Sequence, residues 1–298
     1  WRLALAAPPD GLEVVILDVG QGDAILVKAP GGRAALVDAG PVYEGERGGR
    51  FDAGAAVVVP HLRRAGVRRL DLLVLTHPDV DHVGGAEAVL RAVPVGQLLV
   101  SSARAEEAHQ ASALEVARAL GVPVRVPREG EVLRLGEEVL LEVLGPPSPP
   151  IVGSRSDDNA NCVALRVVYR QVAFLLACDL EAVAEERLVA RGRPLRADVL
   201  KVSHHGSRFS TGERFLEAVS PRYAVISAGA GNPFGHPHAD VIGRLSRAGA
   251  EIWRTDRHGT VTVRTDGFRV VVEGSRGRPE SAKGRPLLGW SGRLTGAW

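Results

Sequence analysis

Short apolar runs alternate with longer helical patterns along the chain, which is typical of a layered α/β protein. The first three runs, 12–19, 24–29 and 34–39, are separated by glycine pairs and predict a small antiparallel meander of strands. Later runs predict strands at 70–76, 97–101, 162–169, 172–178, 197–203, 223–227 and 250–255, and hairpins at 132–144 and 260–273. Helices are predicted from Asp52 to about Gly66, up to about Ala92, and at 106–121, 181–191, 211–219 and 239–248.

The same order of strands and helices recurs in two halves, about 12–145 and about 160–274, separated by a Pro-, Gly- and Ser-rich stretch at 145–161. Several strands lack polar alternation, which predicts burial on both faces. We therefore expect an α/β fold of two mixed sheets packed face to face with helices outside. Residues 1–274 are predicted to form a single domain, and the Gly- and Arg-rich segment 275–298 a flexible tail.

Composition narrows the class of protein. The chain has 298 residues, of which 45% are hydrophobic, so it can bury a real core and is not intrinsically disordered. Its formal net charge of +2 indicates no strongly basic surface, and nucleic acid is neither implied nor excluded. No apolar run is long enough to span a membrane, and the first residues lack the layout of a signal peptide. Because the chain contains no Met and begins with Trp1, we expect it to be a piece of a longer protein.

The two cysteines, Cys162 and Cys178, lie in apolar runs and lack the spacing of a metal site. We expect two buried thiols on strands, with a disulfide between them as the open alternative. Neither arrangement by itself indicates a function.

The densest polar cluster follows the predicted strand 70–76 and contains His77, Asp79, Asp81 and His82. Two carboxylates so close together repel each other unless a cation lies between them. In an extended loop the side chains at 77, 79 and 81 point the same way, and His82 can reach a second ion. The pattern therefore predicts one divalent metal ion or a pair of ions at this loop.

Two later strand ends carry similar chemistry. Asp179 ends an apolar strand and can bridge two metal ions, although it can also cap the helix predicted at 181–191. His204 and His205 follow the strand 197–203, and adjacent side chains diverge, so we expect one to bind metal and the other to orient it or face substrate. The spacing leaves the choice open, and we favour His204 as the ligand.

These motifs carry a family resemblance. HPDVDHVGG, Asp179 after a buried strand, and LKVSHHGS resemble successive motifs of the metallo-β-lactamase superfamily, whose fold is an αββα sandwich with a dinuclear metal site at one edge. More narrowly, LDVGQGDAILV, LVDAG, NANCVALRV, LKVSHHGS, NPFGHPH and RTDRHGTVTV resemble, in order and spacing, the C-terminal hydrolase domain of the ComEC family of DNA-uptake channels. The resemblance covers about residues 12–273.

The resemblance implies a ligand set. His77 and Asp79 would hold one ion, Asp81 and His82 the other, with Asp179 bridging and His204 or His205 completing the second site. Asp79 stands where zinc hydrolases of the superfamily commonly have His, and Asn161 or a neighbour stands where a further His is often found. The added oxygen donors favour Mn²⁺, with Zn²⁺ or Mg²⁺ as alternatives.

Further polar residues are assigned supporting roles. The predicted catalytic residues are Asp81, Asp179, Lys201 and His205. The predicted substrate-binding residues are Asn161, Ser207, His236 and His238. Residues expected to support the metal ligands from behind are Asp18, Gln21, Asp23 and Asp38.

The resemblance implies a divalent-metal-dependent phosphodiesterase, a nuclease that degrades the DNA strand not imported during natural transformation. It also implies a soluble domain of a membrane protein, on the extracytoplasmic side and beside the channel portion of the same polypeptide, with other competence proteins as further partners and no small organic cofactor. One alternative is a hydrolase of a small phosphodiester or ester, which stays open because an aromatic content of 4% offers no evident base-stacking platform. Another is a non-catalytic module that docks DNA or a partner and holds structural metal.

Overall fold

In the computed structural model, which describes residues 11–44, 49–102 and 108–278, two β-sheets pack face to face. The strands in chain order are β1 (Leu12–Ile16), β2 (Ile25–Lys28), β3 (Ala34–Val37), β4 (Val42–Glu44), β5 (Arg50–Asp52), β6 (Leu72–Leu75), β7 (Leu98–Val100), β8 (Val124–Arg125), β9 (Val132–Leu135), β10 (Val139–Val143), β11 (Leu165–Tyr169), β12 (Val172–Leu176), β13 (Val199–Lys201), β14 (Tyr223–Ile226), β15 (Glu251–Arg254), β16 (Val261–Thr265) and β17 (Val270–Gly274). The helices are α1 (Val59–Arg64), α2 (Val80–Val83), α3 (Ala86–Ala92), α4 (Ala108–Ala119), α5 (Asp157–Ala160), α6 (Ala182–Ala190), α7 (Glu213–Val219), α8 (Ala239–Arg247) and α9 (Thr255–His258). A π-helical segment, Gly54–Val58, leads into α1, and short 3-10 turns lie at Pro30–Gly32 and Ser203–Gly206.

Each sheet joins an antiparallel part to a parallel part. The first sheet has the order β17-β16-β1-β2-β3-β6-β7-β8 and is parallel from β3 to β8. The second has the order β15-β14-β13-β12-β11-β10-β9 and is parallel from β12 to β15. The hairpin β9–β10 belongs to the second sheet and β16–β17 to the first, so the sheets exchange strands across the predicted division into halves.

Three apolar layers hold these elements together. The middle layer lies between the sheets and contains side chains such as Val14, Leu141 and Phe174. The outer layers pack α1, α3 and α4 on the first sheet and α6, α7 and α8 on the second. Strands β3, β6, β12 and β14 are buried along their whole length because both faces are covered, which explains their unbroken apolar sequences. The predicted αββα sandwich is confirmed.

Two local predictions need correction. The helix expected to begin at Asp52 is preceded by the short hairpin β4–β5, although Asp52 Oδ1 does accept the Ala55 N–H at 3.0 Å, as a helix cap does. The extended loop expected over 77–81 is wrong, because α2 begins within it and places Asp81 and His82 on a helical turn. Successive side chains of an extended loop point to opposite faces, whereas on this helical turn Asp81 and His82 both reach the same cluster.

The cysteines are joined by a disulfide, so the expectation of two free thiols is wrong. Both are buried, as expected, with Cys162 before β11 and Cys178 after β12. The bond therefore links the start of β11 to the end of the neighbouring strand β12, and Cys178 directly precedes Asp179. Two other predictions lie partly outside the described residues: the start of the helix 106–121 and the tail beyond residue 278.

Candidate metal centre

Side chains from both sheets meet at one edge of the sandwich, where β6, β12 and β13 end. The predicted site residues found there are His77, Asp79, Asp81, His82, Asp179, His204 and His205. The first four belong to the loop and helical turn after β6, and the others follow the two strands of the second sheet. The ends of strands that lie more than one hundred residues apart in the sequence thus converge at this edge.

His82 lies at the middle of the cluster. Its Nε2 is 3.4 Å from Asp179 Oδ1 and 3.8 Å from Asp81 Oδ2. Its Nδ1 donates to Asp38 Oδ2 at 2.8 Å, because a carboxylate can only accept. His82 Nε2 therefore faces the carboxylates, and it is the nitrogen that would bind a metal ion once its own proton is displaced.

His205 is held in the same way. Its Nδ1 donates to the Ser227 carbonyl oxygen at 2.9 Å, and its Nε2 lies 3.2 Å from Asp81 Oδ2 and 3.4 Å from Asp179 Oδ2. His204 points elsewhere: its Nε2 is 3.6 Å from Asp179 Oδ2 and its Nδ1 is 3.4 Å from Glu181 Oε1. The geometry favours His205 over His204 as the imidazole that completes the ligand group with Asp81.

His77 completes a third such arrangement. The Thr76 hydroxyl donates to Asp38 Oδ2 at 2.8 Å, so its oxygen accepts from His77 Nδ1 at 3.0 Å. His77 Nε2 then faces the cluster, 3.4 Å from Asp79 Oδ2, and its ring centroid is 4.1 Å from that of His82. Asp79 is the most exposed member of the cluster, with 47% of its side chain open to solvent.

The donor set fits divalent metal ions. Among the described residues, four groups have possible ligand atoms within 4.8 Å of one another. Two of them are His77, His82 and Asp179, and Asp81, His82 and His205, and the other two both contain Asp23. The Nε2 atoms of His82 and His205 are 3.2 Å apart, a separation that needs a proton or a cation between two lone pairs. His77 Nε2 and Asp179 Oδ1 are buried and have no hydrogen-bond partner in the described part of the chain. A bound metal ion would satisfy both atoms.

The electrostatics of the cluster demand positive charge. Burial alone would raise the pKa of Asp179 and lower that of His82. Attraction to the neighbouring charges outweighs burial, so the pKa of Asp179 lies well below its usual range and that of His82 well above. Against burial, Asp179 and Asp23 raise the pKa of His205 to about 10. Imidazolium protons thus supply the positive charge among these carboxylates in the metal-free chain, and divalent ions would take the place of those protons.

Asp38 and Asp23 lie behind the candidate ligands and contact them or the loop that carries them. Asp38 accepts from the Thr76 N–H and hydroxyl and from His82. The Asp23 amide donates to the Asp81 carbonyl at 3.2 Å, and its carboxylate contacts Lys201 Nζ. Lys201, a predicted catalytic residue, has a side chain only 1% exposed and lies beneath the cluster instead of at its open side.

One glycine is required where the two sheets meet at this edge. Gly22 has φ +128°, and a Cβ there would lie 2.1 Å from the Asp81 carbonyl oxygen. The Ser227 hydroxyl donates to the Gly22 carbonyl at 2.6 Å. The loop after β1, the metal loop and the end of β14 are therefore held against one another.

The predicted substrate-binding residues are not all beside the cluster. His236 is half-buried, with its ring centroid 5.5 Å from that of His204, and burial together with His204 and His205 lowers its pKa to about 4. His238 precedes α8 and accepts the Asp240 N–H at 3.3 Å. Ser207 is buried, and its N–H donates to the His204 carbonyl at 2.7 Å.

Three other predicted residues hold loops. The Asn161 side chain bonds both backbone groups of Ile151, at 2.8 and 2.7 Å. Gln21 Oε1 accepts the Gly229 N–H at 3.2 Å. Asp18 Oδ2 accepts from Arg276 at 2.8 Å, so its carboxylate is paired away from the metal ligands.

Sequence reasoning missed several residues that shape the site. Thr76 orients His77, and its place directly before that residue was a usable signal. Glu181 contacts His204. Its position two residues after Asp179 was likewise a usable sequence signal. The carbonyl oxygen of Ser227 leaves no signal in a sequence, because every residue has one.

Comparison with known proteins identifies the family. The family model for the metallo-beta-lactamase superfamily matches residues 17–230. ComE operon protein 3 of Bacillus subtilis is 35% identical over 259 residues, 85% of this chain and 33% of that protein. Competence protein ComA of Neisseria gonorrhoeae is 35% identical over 257 residues, 86% of this chain and 33% of that protein. The chain thus spans about one third of the length of these curated relatives.

Solved structures share the fold. CmlA, a diiron β-hydroxylase from Streptomyces venezuelae, superposes with a TM-score of 0.55 at 16% identity, covering 87% of this chain and 55% of that one. Igni18, a metallo hydrolase from Ignicoccus hospitalis, superposes with a TM-score of 0.53 at 15% identity, covering 84% of this chain and 98% of that one.

No helix among the described residues is long and apolar enough to cross a membrane. The resemblance to the ComEC hydrolase domain is confirmed, and the fold implies divalent ions for the cluster. The chain belongs to the metallo-β-lactamase superfamily and has the fold of a metal-dependent hydrolase.

Proposed function

We propose that this chain is a divalent-metal-dependent phosphodiesterase that cleaves DNA during DNA uptake. The observation that carries the proposal is the overlap of two candidate ligand groups, which share His82. Asp179 belongs to one group and lies 3.4 Å from His205 of the other. An overlapping set of imidazoles and carboxylates suits two neighbouring ions. Chemistry of that kind fits phosphodiester hydrolysis better than a purely structural role.

Two ions, when bound, supply a water of lowered pKa and positive charge for the attacking and leaving oxygens of the phosphodiester. The chain's own residues prepare the site for them. Thr76, Asp38 and Ser227 fix the tautomers of three histidines so that each Nε2 faces inward. Asp79 and His204 lie at the open side, with 47% and 21% of their side chains exposed, where a substrate phosphate would approach.

We favour Mn²⁺, with Zn²⁺ or Mg²⁺ as alternatives, because Asp79, Asp81 and Asp179 add hard oxygen donors to the imidazoles. DNA as substrate is supported by the competence proteins among the relatives. By the same similarity we propose action on the strand that is not imported, on the extracytoplasmic side, beside the channel portion of the same polypeptide. The disulfide supports an oxidising compartment, where such bonds persist.

The test combines metal content with substrate range. The protein is loaded with Mn²⁺, and cleavage of labelled single-stranded and duplex DNA is compared with that of bis(4-nitrophenyl) phosphate and a 4-nitrophenyl ester. We expect Mn²⁺-dependent cleavage of DNA that Asp79→Ala and Asp179→Ala reduce by at least a hundredfold, while Glu137→Ala, an exposed carboxylate at the β9–β10 turn, leaves it unchanged. Unchanged cleavage in the first two variants would refute the site. Cleavage of the small substrates alone favours a small-molecule hydrolase, and bound metal without any cleavage favours a docking module.

A further inference from the structure

Two exposed aromatic rings are each linked to the metal cluster through a chain of side-chain contacts. Across the described residues, the large exposed aromatic side chains are Tyr43, Phe209, Phe234 and Phe268. Phe234 and Phe209 are both connected to His204 through one or two intervening side chains. Solvent-exposed rings beside a reactive centre have a cost in free energy that a ligand with flat apolar faces would offset.

Phe234 is presented by a rigid loop. Its side chain is 66% exposed, and its inner face packs on His236 with ring centroids 5.8 Å apart and planes inclined by 29°. Asn232 holds the loop: its Oδ1 accepts the N–H groups of Phe234 and His236, and its Nδ2 donates to the Gly229 and His236 carbonyls. The outer face of the ring is therefore open and fixed in position, as a stacking platform requires.

Phe209 forms a second flat surface, in a groove of about 780 Å³. The Arg155 guanidinium lies over its ring, 3.8 Å from the centroid, and that of Arg208 lies 4.9 Å from it. A guanidinium stacked on a ring extends the flat surface and is itself a stacking partner for a nucleobase. Arg155 also contacts Glu181, the neighbour of His204, so the groove adjoins the cluster.

The charges of the groove favour a ligand held by stacking of its bases over one held by attraction of its phosphates to many basic side chains. Arg155 and Arg247 are paired with Glu181 and Glu213, and exposed acidic side chains at 186 and 240 also line the groove. Arg208 and Arg214 are exposed and make no ion pair or hydrogen bond with any residue that the structure describes. Two free guanidinium groups suffice for a few phosphate contacts but not for holding a duplex by charge alone.

Resting on the proposed phosphodiesterase function, we propose that the site takes single-stranded nucleic acid, with unpaired bases stacked on Phe234 and on the Arg155–Phe209 pair while the intervening phosphate lies at the metal cluster. A duplex keeps its base faces covered by neighbouring bases, so it cannot use these platforms. The low aromatic content of the chain is therefore no argument against nucleic acid, because two rings are placed where they are needed.

The experiment measures binding without cleavage. Fluorescence anisotropy of a labelled thymidine 12-mer and of a blunt duplex is recorded with Ca²⁺, with wild type, Phe234→Ala, Phe209→Ala and the distant control Phe268→Ala, which is 62% exposed on the β16–β17 turn. We expect tighter binding of the single strand, and a loss of about tenfold in each of the first two variants, the usual size for one stacked base. Phe268→Ala should bind like wild type.

Two further variants separate stacking from folding. Phe234→Trp should retain binding and Phe234→Leu should lose it, because only the former keeps a π face. Arg208→Ala should reduce the dependence of log affinity on log salt by about 0.7, the contribution of one phosphate on a single strand.

Any of three results would overturn the inference. The phenylalanine-to-alanine variants could all bind the single strand with equal affinity, Phe234→Leu could bind it as tightly as Phe234→Trp, or the protein could prefer the duplex. The anisotropy experiment measures binding without cleavage. Its result therefore does not depend on whether the wild-type protein hydrolyses bis(4-nitrophenyl) phosphate. Failure of that hydrolysis with intact single-strand binding would count against the proposed phosphodiesterase and not against the platforms.

Discussion

Single residues decide whether the histidines at this edge can bind metal. His77, His82 and His205 each donate Nδ1–H to a neighbouring oxygen, so Nε2 is the nitrogen that would bind metal in each ring. Asp38 orients two of these histidines: it accepts directly from His82, and it accepts from the Thr76 hydroxyl that bonds His77. A single buried carboxylate thus orients two of the proposed ligands, a role that usually governs metal affinity.

We therefore expect Asp38→Asn to weaken Mn²⁺ binding by about 10- to 100-fold, because the neutral amide neither raises the basicity of His82 nor fixes its tautomer. Isothermal titration of the metal-free protein measures the loss. Asp71→Asn is the matched control, since Asp71 also bonds a backbone amide, that of Ala34, but at the opposite end of β3. Equal affinities in the two variants would contradict the role given to Asp38.

At the scale of elements, the turn after β13 is held in a conformation that its sequence disfavours. His204 and His205 have φ of +48° and +53°, which costs each of them of order 1 kcal/mol. Glu185 of α6 stabilises this region from behind: it accepts from the Ser203 hydroxyl at 2.9 Å and from the amides of the following loop, 211–212, at 2.6 and 2.9 Å.

Glu185 predicts a pH dependence of stability. Burial raises its pKa from 4.5 to about 6, although three hydrogen bonds and the nearby Arg244 oppose the shift. A raised pKa means that its stabilising contribution is complete below pH 4.5 and is lost as the pH rises through 6, by about 2 kcal/mol. The free energy of unfolding of wild type relative to Glu185→Gln should fall by about 1.6 kcal/mol between pH 4.5 and 7.5, measured by urea unfolding in chelator. A pH-independent difference would show that the carboxyl group titrates normally.

The disulfide acts on two neighbouring strands. A bond that closes a loop of 16 residues, between Cys162 and Cys178, stabilises the fold by about 3 kcal/mol. Reductant should therefore lower the urea midpoint of the wild-type protein and leave that of the double variant Cys162→Ser, Cys178→Ser unchanged. A wild-type midpoint that does not respond to reductant, in a protein shown by thiol titration to be reduced, would contradict this contribution.

The sequence predicted most of this architecture because its signals are local. Apolar runs mark strands, and polar residues at their ends mark an edge, so His77, Asp81, His82 and Asp179 could be brought together without coordinates. The choice between adjacent histidines could not be made, because the left-handed backbone of the turn decides it. The disulfide likewise depends on a distance between strands, and the exposure of Phe234 depends on a loop built by hydrogen bonds.

At the scale of the whole molecule, the cluster joins the two sheets. His77, Asp81 and His82 come from the first sheet, and Asp179 and His205 from the second. The Ser227 hydroxyl bond to Gly22 crosses the same boundary. Ions bound among these side chains therefore contact both layers of the sandwich, and their binding free energy is added to the stability of the folded state only.

Metal should consequently raise the unfolding temperature in a manner that depends on its concentration. At a free Mn²⁺ concentration one hundred times the dissociation constant, the stabilisation is about 2.7 kcal/mol. We expect Asp179→Ala to abolish this increase, since it removes a ligand contributed by the second sheet, and Glu137→Ala to retain it. Gly22→Ala should reduce it even though Gly22 binds no metal, because a Cβ 2.1 Å from the Asp81 carbonyl displaces the loop that carries Asp81 and His82. Differential scanning calorimetry with and without chelator measures all four proteins, and a full Mn²⁺ response in Gly22→Ala would show that the two sheets position their ligands independently.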